Sequence, residues 1–214
     1  AESYATPLTN AELDTLAEIV RDTNVLLLSD EVYEHIVFDG VPHQSFLRHD
    51  ELYARSFVVS SFGKTYHATG WKVGYCVAPA SLTAEFRRVH QWVCYAVITP
   101  IQHALADYMV ATPGHYAELP AFYETKRDRF NELVAGSRFK LRPAQGTFFQ
   151  LLDYADITDE DDVSYAKRLT QEIGVASIPV SVFCEHPMEQ RLLRFCFAKE
   201  DAVLEQAAER LCRL

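Results

Sequence analysis

The chain has 214 residues, 49% hydrophobic and 23% charged, an ordinary globular composition long enough for one large domain or two small ones, which excludes a disordered chain. Its formal net charge of −10 comes without the clustered Lys and Arg that a phosphate backbone demands, so small-molecule chemistry is favoured over a nucleic-acid surface. No stretch reaches the apolar length of a membrane span, and Ala1-Glu2-Ser3-Tyr4 has neither the basic start nor the apolar core of a signal peptide, so cytoplasm is the expected compartment.

Thr9 and Glu12 make a capping box, and Leu13, Leu16, Ile19 and Val20 then recur at helical spacing, predicting a helix up to Asn24. Val25 to Leu28 is a continuous apolar run of strand length, expected in the middle of a covered sheet, with Asp30 just past its carboxyl end. Phe57 to Ser60 repeats the pattern and delivers Ser61 and Lys64 to the same edge, and Val73 to Ala78 reads as a third strand. Ligands of open α/β sheets gather outside the carboxyl ends of strands, so one crevice can receive both polar sets.

Ser81 to Val93 and Pro100 to Val110 are amphipathic helical stretches, and Tyr116 to Ala135, rich in both charge signs and ended by Gly136, is predicted to bridge two domains. Phe139 to Leu141, Thr147 to Leu152, a helix over Asp162 to Ile173, a strand at Leu192 to Ala198 and a helix from Asp201 follow. Their alternation predicts a second, smaller α/β unit, dividing the chain into residues 1–111 and 112–214. Five cysteines, Cys76, Cys94, Cys184, Cys196 and Cys212, form an odd set without CxxC spacing and read as buried reduced thiols. Cys184, Glu185 and His186 hint at a metal, but no second pair completes a tetrahedral set, and no metal is expected.

Taken singly, the polar candidates have ordinary readings. Gly63-Lys64-Thr65 ends like a Walker A loop, yet the glycine that motif needs five residues earlier is Val58, inside a strand. A lone Lys64 then reads as a solvated side chain, Asp30 as a turn starter or cap, Tyr33 as a packed ring with its hydroxyl at the surface, and Gly70 and Gly74 as turn glycines. Arg194 lies in an apolar strand where an unpaired cation is costly to bury, so it needs an anion, and an internal acid is the simplest one.

Together the residues say more. The run Ser60-Ser61-Phe62-Gly63-Lys64-Thr65-Tyr66-His67-Ala68-Thr69-Gly70-Trp71-Lys72-Val73-Gly74-Tyr75 and the run Asp30-Glu31-Val32-Tyr33 resemble the active-site segments of fold-type I pyridoxal-phosphate aminotransferases, in wording nearest the methionine and kynurenine branch. The resemblance covers essentially the whole chain but only about the second half of a usual member. It implies an α/β fold, the C-terminal portion of a fold-type I transferase with part of the large-domain sheet plus a small α/β domain.

It also implies pyridoxal 5'-phosphate as cofactor and a role for each matching residue. Lys64 becomes the Schiff-base lysine and proton shuttle, Asp30 the partner of the pyridine nitrogen, and Tyr33 the hydrogen-bond donor to the 3'-oxygen. Ser61 and Lys72 hold the phosphate, Lys72 standing where many relatives have Arg, with Gly70 and Gly74 allowing close backbone approach there; Arg194 grips the substrate α-carboxylate. Transamination of methionine, an aromatic amino acid or kynurenine with a 2-oxo acid is the implied activity, in a homodimer in which the segment from Tyr95 to Pro100 reaches the neighbour. A C–S β-lyase of the same fold and a truncated cofactor-binding or association remnant are the alternatives. Tyr33, Trp92, Tyr95 and Phe183 are candidates for the side-chain pocket, and Val180 replaces a usual loop glycine in Ile178-Pro179-Val180-Ser181-Val182-Phe183, narrowing or stiffening the entrance. The family's opening half supplies a small-residue phosphate turn, a ring-stacking aromatic and an NPxNPTG loop that this sequence does not contain, so unpaired sheet edges and uncovered apolar faces are expected.

Overall fold

The computed structural model describes residues 7–185 and 190–214. The chain forms two compact units, Leu8–Val37 with Pro42–Leu119 and Phe38–Val41 with Pro120–Leu214.

In the first unit, helix α1 (Asn10–Val20) starts at the anticipated box: the Thr9 amide donates to Glu12 Oε2 at 2.7 Å and the Glu12 amide to Thr9 Oγ1 at 3.3 Å. Leu13, Ala17 and Val20 make its buried stripe and pack with Phe46, Leu52 and Val58, whereas Ile19 faces outward. Strand β1 (Leu27–Asp30), the short helix α2 (Asp50–Tyr53), strand β2 (Ser56–Ser61), the single turn α3 (Phe62–Thr65) and strand β3 (Gly74–Val77) follow. The sheet runs β1-β2-β3, with β1 parallel and β3 antiparallel to β2. Burial alternates strictly along β2, as a half-covered strand requires.

The apolar run at Val25 to Leu28 behaves differently from the expectation. Pairing begins only at Leu27, whose amide meets the Arg55 carbonyl at 2.9 Å; before Arg55 the chain is α2 and offers no ladder to Val25 and Leu26. The strand is therefore shifted to include Asp30, and it is an edge strand among the described residues, with Leu28 72% exposed. Apolarity of a run states that it wants cover, not that the cover belongs to the same stretch of chain. Helices α4 (Ala80–Val93) and α5 (Thr99–Ala111) repeat the lesson: α4 buries no residue, and Trp92 and Tyr95 are 84% and 86% exposed.

Helix α6 (His115–Val134) runs from the first unit into the second. There β4 (Lys140–Leu141), β5 (Phe149–Asp153), β6 (Ile178–Pro179) and β7 (Leu192–Cys196) form an antiparallel sheet in the order β4-β5-β7-β6, with helices α7 (Asp162–Arg168) and α8 (Asp201–Leu211). The helix expected to Ile173 changes at Leu169 into a wider π turn that ends on Gly174, at φ +73. Phe130, Leu152, Leu193, Phe195, Leu204 and Leu211 are among its buried apolar residues. Arg127, 3% exposed, ties the 38–41 segment to this unit through two bonds to the Asp39 carboxylate, at 2.6 and 2.8 Å, and one to the Ala144 carbonyl at 2.8 Å. Among the described residues no helix is long and apolar enough to cross a membrane.

Candidate active site

Because β1 and β2 are parallel, their carboxyl ends lie at one edge of the sheet, and the Asp30–Val59 register sets Asp30 two residues short of the level of Ser61. The DEVY run alternates in purpose. Asp30 is exposed; its Oδ1 accepts the Val32 amide at 3.2 Å, which makes the turn, and its Oδ2 meets no donor among the described residues. Val32 is buried, and Tyr33 comes beside the lysine: Lys64 Nζ stands 5.7 Å from the Tyr33 ring centroid. Asp30, Tyr33, Ser61 and Lys64 thus sit on neighbouring segments of one strand edge.

Glu31 turns the other way and anchors the loop from beneath. Only 6% exposed, it accepts Ser29 Oγ at 2.9 Å, the Phe46 amide at 3.0 Å and His43 Nε2 at 3.0 Å. Burial opposes its charge, but bonds from His43, Ser45, Phe46 and Ser29 outweigh that and hold its carboxyl below the ordinary value of 4.5. A lowered folded value means that its stabilisation is complete above the ordinary value and is lost as pH falls through the folded one. Glu31→Gln should flatten the acid limb of a urea-midpoint profile against pH, and Glu31→Ala, which strands the Phe46 amide, should cost about 1–3 kcal/mol near neutrality.

Glu34 ties the same loop to β2 and β3. Its Oε1 accepts Ser60 Oγ at 2.9 Å and the Tyr75 hydroxyl. Burial first, and that bond second, push Tyr75 up to about 12, so it stays a protonated donor. Sequence reasoning missed Glu31, Glu34 and Tyr75; the visible signal was two further acids flanking Tyr33 in a segment otherwise apolar.

Ser61 caps α3, its Oγ accepting the Gly63 amide at 3.0 Å and donating to the Val73 carbonyl at 3.5 Å. Across the β2–β3 ladder it faces Gly74, so Lys72, two residues earlier, belongs to the same end. Lys72 adopts a left-handed backbone, φ 56, is exposed, and makes no ion pair among the described residues. Gly74 must be glycine: a Cβ there would stand 2.4 Å from the Ser60 carbonyl oxygen. Close approach was also expected at Gly70, but a Cβ there meets nothing within 4 Å.

Arg194 belongs to the second unit, on β7 between Leu151 and Ile178. No acid pairs with it among the described residues; instead its guanidinium lies over the Phe149 ring at 4.5 Å and the Phe183 ring at 5.1 Å. Two π-faces favour the cation without consuming its forward hydrogen bonds. The Phe183 turn is held by Asp162, whose carboxylate accepts the Ser181 amide at 2.7 Å and the Ser181 hydroxyl at 2.6 Å. Val180, 1% exposed, has an ordinary right-handed backbone and packs inward rather than at an entrance.

The cysteines are not buried: Cys94, Cys196 and Cys212 are exposed, Cys76 and Cys184 partly so. Cys196 fails the expectation because it ends β7 on the outward side of the alternation. His186 lies outside the described residues.

An amine beside a phenol, a carboxylate at the parallel strand ends, and a hydroxyl and a cation toward the same end of the sheet make up the candidate site. The chain belongs to the aminotransferase class I and II family, whose profile matches residues 5–211, a family that uses pyridoxal phosphate. It is 50% identical to the methionine aminotransferase of Escherichia coli over 98% of this chain and 54% of that one, and superimposes on a solved structure of an E. coli methionine aminotransferase with a TM-score of 0.94, covering 98% of this chain and 56% of the other. A solved N-succinyldiaminopimelate aminotransferase from Mycobacterium tuberculosis gives a TM-score of 0.91 at 32% identity, over 98% and 55% of the two chains. The kynurenine–oxoglutarate transaminase of Dictyostelium discoideum is 33% identical over 95% of this chain and 52% of its own. The chain thus spans about half the length of the curated relatives it matches.

Proposed function

We propose that the protein transfers an amino group from an amino acid, methionine first among candidates, to a 2-oxo acid, using pyridoxal 5'-phosphate. The observation that carries this is the placement of Lys64 Nζ over the Tyr33 ring at the strand edge where Asp30 ends β1. The donor set suits the cofactor: one amine, one phenol, one acid with an oxygen that meets no donor among the described residues, and a hydroxyl with an ammonium that makes no ion pair among them.

Bound there, pyridoxal phosphate supplies an aldehyde that condenses reversibly with amines and a cationic ring that draws electron density from the substrate α-carbon. Lys64 would hold the cofactor through Nζ and, with that amine released, would be the base that carries the substrate α-proton. Asp30 accepts from the pyridine N–H and keeps that proton in place. Tyr33 donates to the 3'-oxygen, Ser61 and Lys72 bind the phosphate, and Arg194 orients the substrate carboxylate with two parallel bonds.

Residues 1–111 are read as the remaining part of the large domain and 112–214 as the bridging helix and small domain, in a cytoplasmic homodimer. The exposed Leu28, Trp92 and Tyr95 support a partner surface. To test the function, the protein is loaded with cofactor and offered methionine, kynurenine and aromatic donors with a panel of 2-oxo acids. Appearance of the 2-oxo acid of the donor together with a new amino acid supports it; thiol and ammonia release without a new amino acid points to C–S lysis, and turnover of none rejects both.

A further inference from the structure

Lys64 rides on a helix of four residues, too short to hold its own geometry. Its start is secured by the Ser61 cap and by the Phe62 amide, which donates to the Val73 carbonyl at 3.2 Å. At its end, carbonyls are left without helical partners. The Phe62 carbonyl takes the Tyr66 amide at 2.8 Å and the Gly63 carbonyl takes the Ala68 amide at 2.9 Å. The Thr65 carbonyl, adjoining the lysine, is satisfied from elsewhere: His115 Nε2, 50 positions on at the head of α6, lies 2.7 Å away.

This bond fixes the histidine's chemistry. A carbonyl only accepts, so Nε2 carries a hydrogen, while Nδ1 lies 3.3 Å from the Tyr108 hydroxyl. The ring is clasped on three sides, stacked on Tyr66 at 5.1 Å and 17°, and edge-on to His67 at 5.4 Å and to Tyr108 at 5.5 Å. His67 holds a left-handed backbone, φ 55, that a non-glycine residue keeps only when its surroundings enforce it. Burial, and then His115 itself, lower the affinity of His67 for a proton.

We propose that His115 is a positioning residue for Lys64: donating from Nε2 it closes the open end of the lysine-bearing turn, and with Tyr66 and Tyr108 it sets where the amine stands. The proposal rests on the reading of Lys64 as the reactive amine. Nothing in the chemistry above uses His115, yet it is the one side chain among the described residues that reaches this turn's last carbonyl from another helix.

The test compares wild type with His115→Phe, which keeps a ring on Tyr66 but has no donor, with His115→Gln, which restores a donor, and with Tyr108→Phe, which removes only the hydroxyl facing Nδ1. Amide hydrogen exchange over residues 62–68, read without cofactor, should quicken about 5- to 10-fold in His115→Phe, recover in His115→Gln and lie between in Tyr108→Phe. Borohydride-fixed pyridoxal phosphate at Lys64, at subsaturating cofactor, should fall several-fold in His115→Phe and recover in His115→Gln, with urea midpoints within a small margin of wild type. Unchanged exchange overturns the cap, and faster exchange with unchanged labelling overturns the positioning role. If wild type takes no label, the reading of Lys64 fails, while the exchange comparison still decides the cap.

Discussion

Lys64→Arg should abolish turnover between amino acid and 2-oxo acid, with a fall of at least about 10²–10⁴-fold from lost proton transfer alone. Arginine is cationic and at least as long, so the Tyr33 face still has a cation to meet. What it lacks is a free amine: the guanidinium stays protonated at every usable pH and neither condenses with an aldehyde nor takes the α-proton. Cofactor binding through Asp30, Ser61 and Lys72 should survive in part, because those contacts do not pass through Nζ. Retention of more than about a tenth of wild-type kcat would place the reactive amine elsewhere.

Arg194→Leu should lower kcat/KM for amino acid donors by about 10²-fold or more, since two charge-assisted bonds of about 1.5–3 kcal/mol each are lost and each 1.4 kcal/mol is tenfold. Leucine still packs against Phe149 and Phe183, so the sheet should hold and the urea midpoint should barely move. Arg194→Lys should recover part of the loss, a point charge replacing the planar fork. A primary amine without an α-carboxylate separates recognition from a general defect. An equal loss with that amine would show that Arg194 acts on structure and not on the carboxylate.

The parts of this molecule that speak through local chemistry could be read from residues alone. The Thr9–Glu12 box, the existence of a strand at Phe57–Ser60 and the helix from His115 to Val134 each depend on neighbours within a few positions, though the alternating burial of that strand was not expected. The misplaced β1 depends on something remote: where α2 ends and β2 begins decides which residues of the 25–30 run find a ladder. Arg194 was read as a cation in need of an anion, and the aromatic pair that holds it comes from β5 and from the turn at residues 181–183, which no spacing rule links. The two-residue β6 carries too few positions for any periodicity to show.

The site divides the same way. Lys64, Asp30, Tyr33, Ser61 and Lys72 could be named because a run of sequence carries them; the residues that hold them still could not. Glu31 reads as one more surface acid until Ser29, His43 and Phe46 are seen around it, and Glu34 until Ser60 and Tyr75 are. His115 lies 50 positions from the carbonyl it serves. Supporting contacts are made by topology, and topology is what a single sequence states least directly.

The most direct measurement is to incubate the protein with pyridoxal phosphate, reduce with borohydride, digest, and locate the pyridoxyl group by peptide mass. Stoichiometric label on the peptide bearing Lys64, lost in Lys64→Arg and diminished in Asp30→Ala, is the expected result. Label spread over surface lysines, or concentrated on any lysine other than Lys64, would contradict the account.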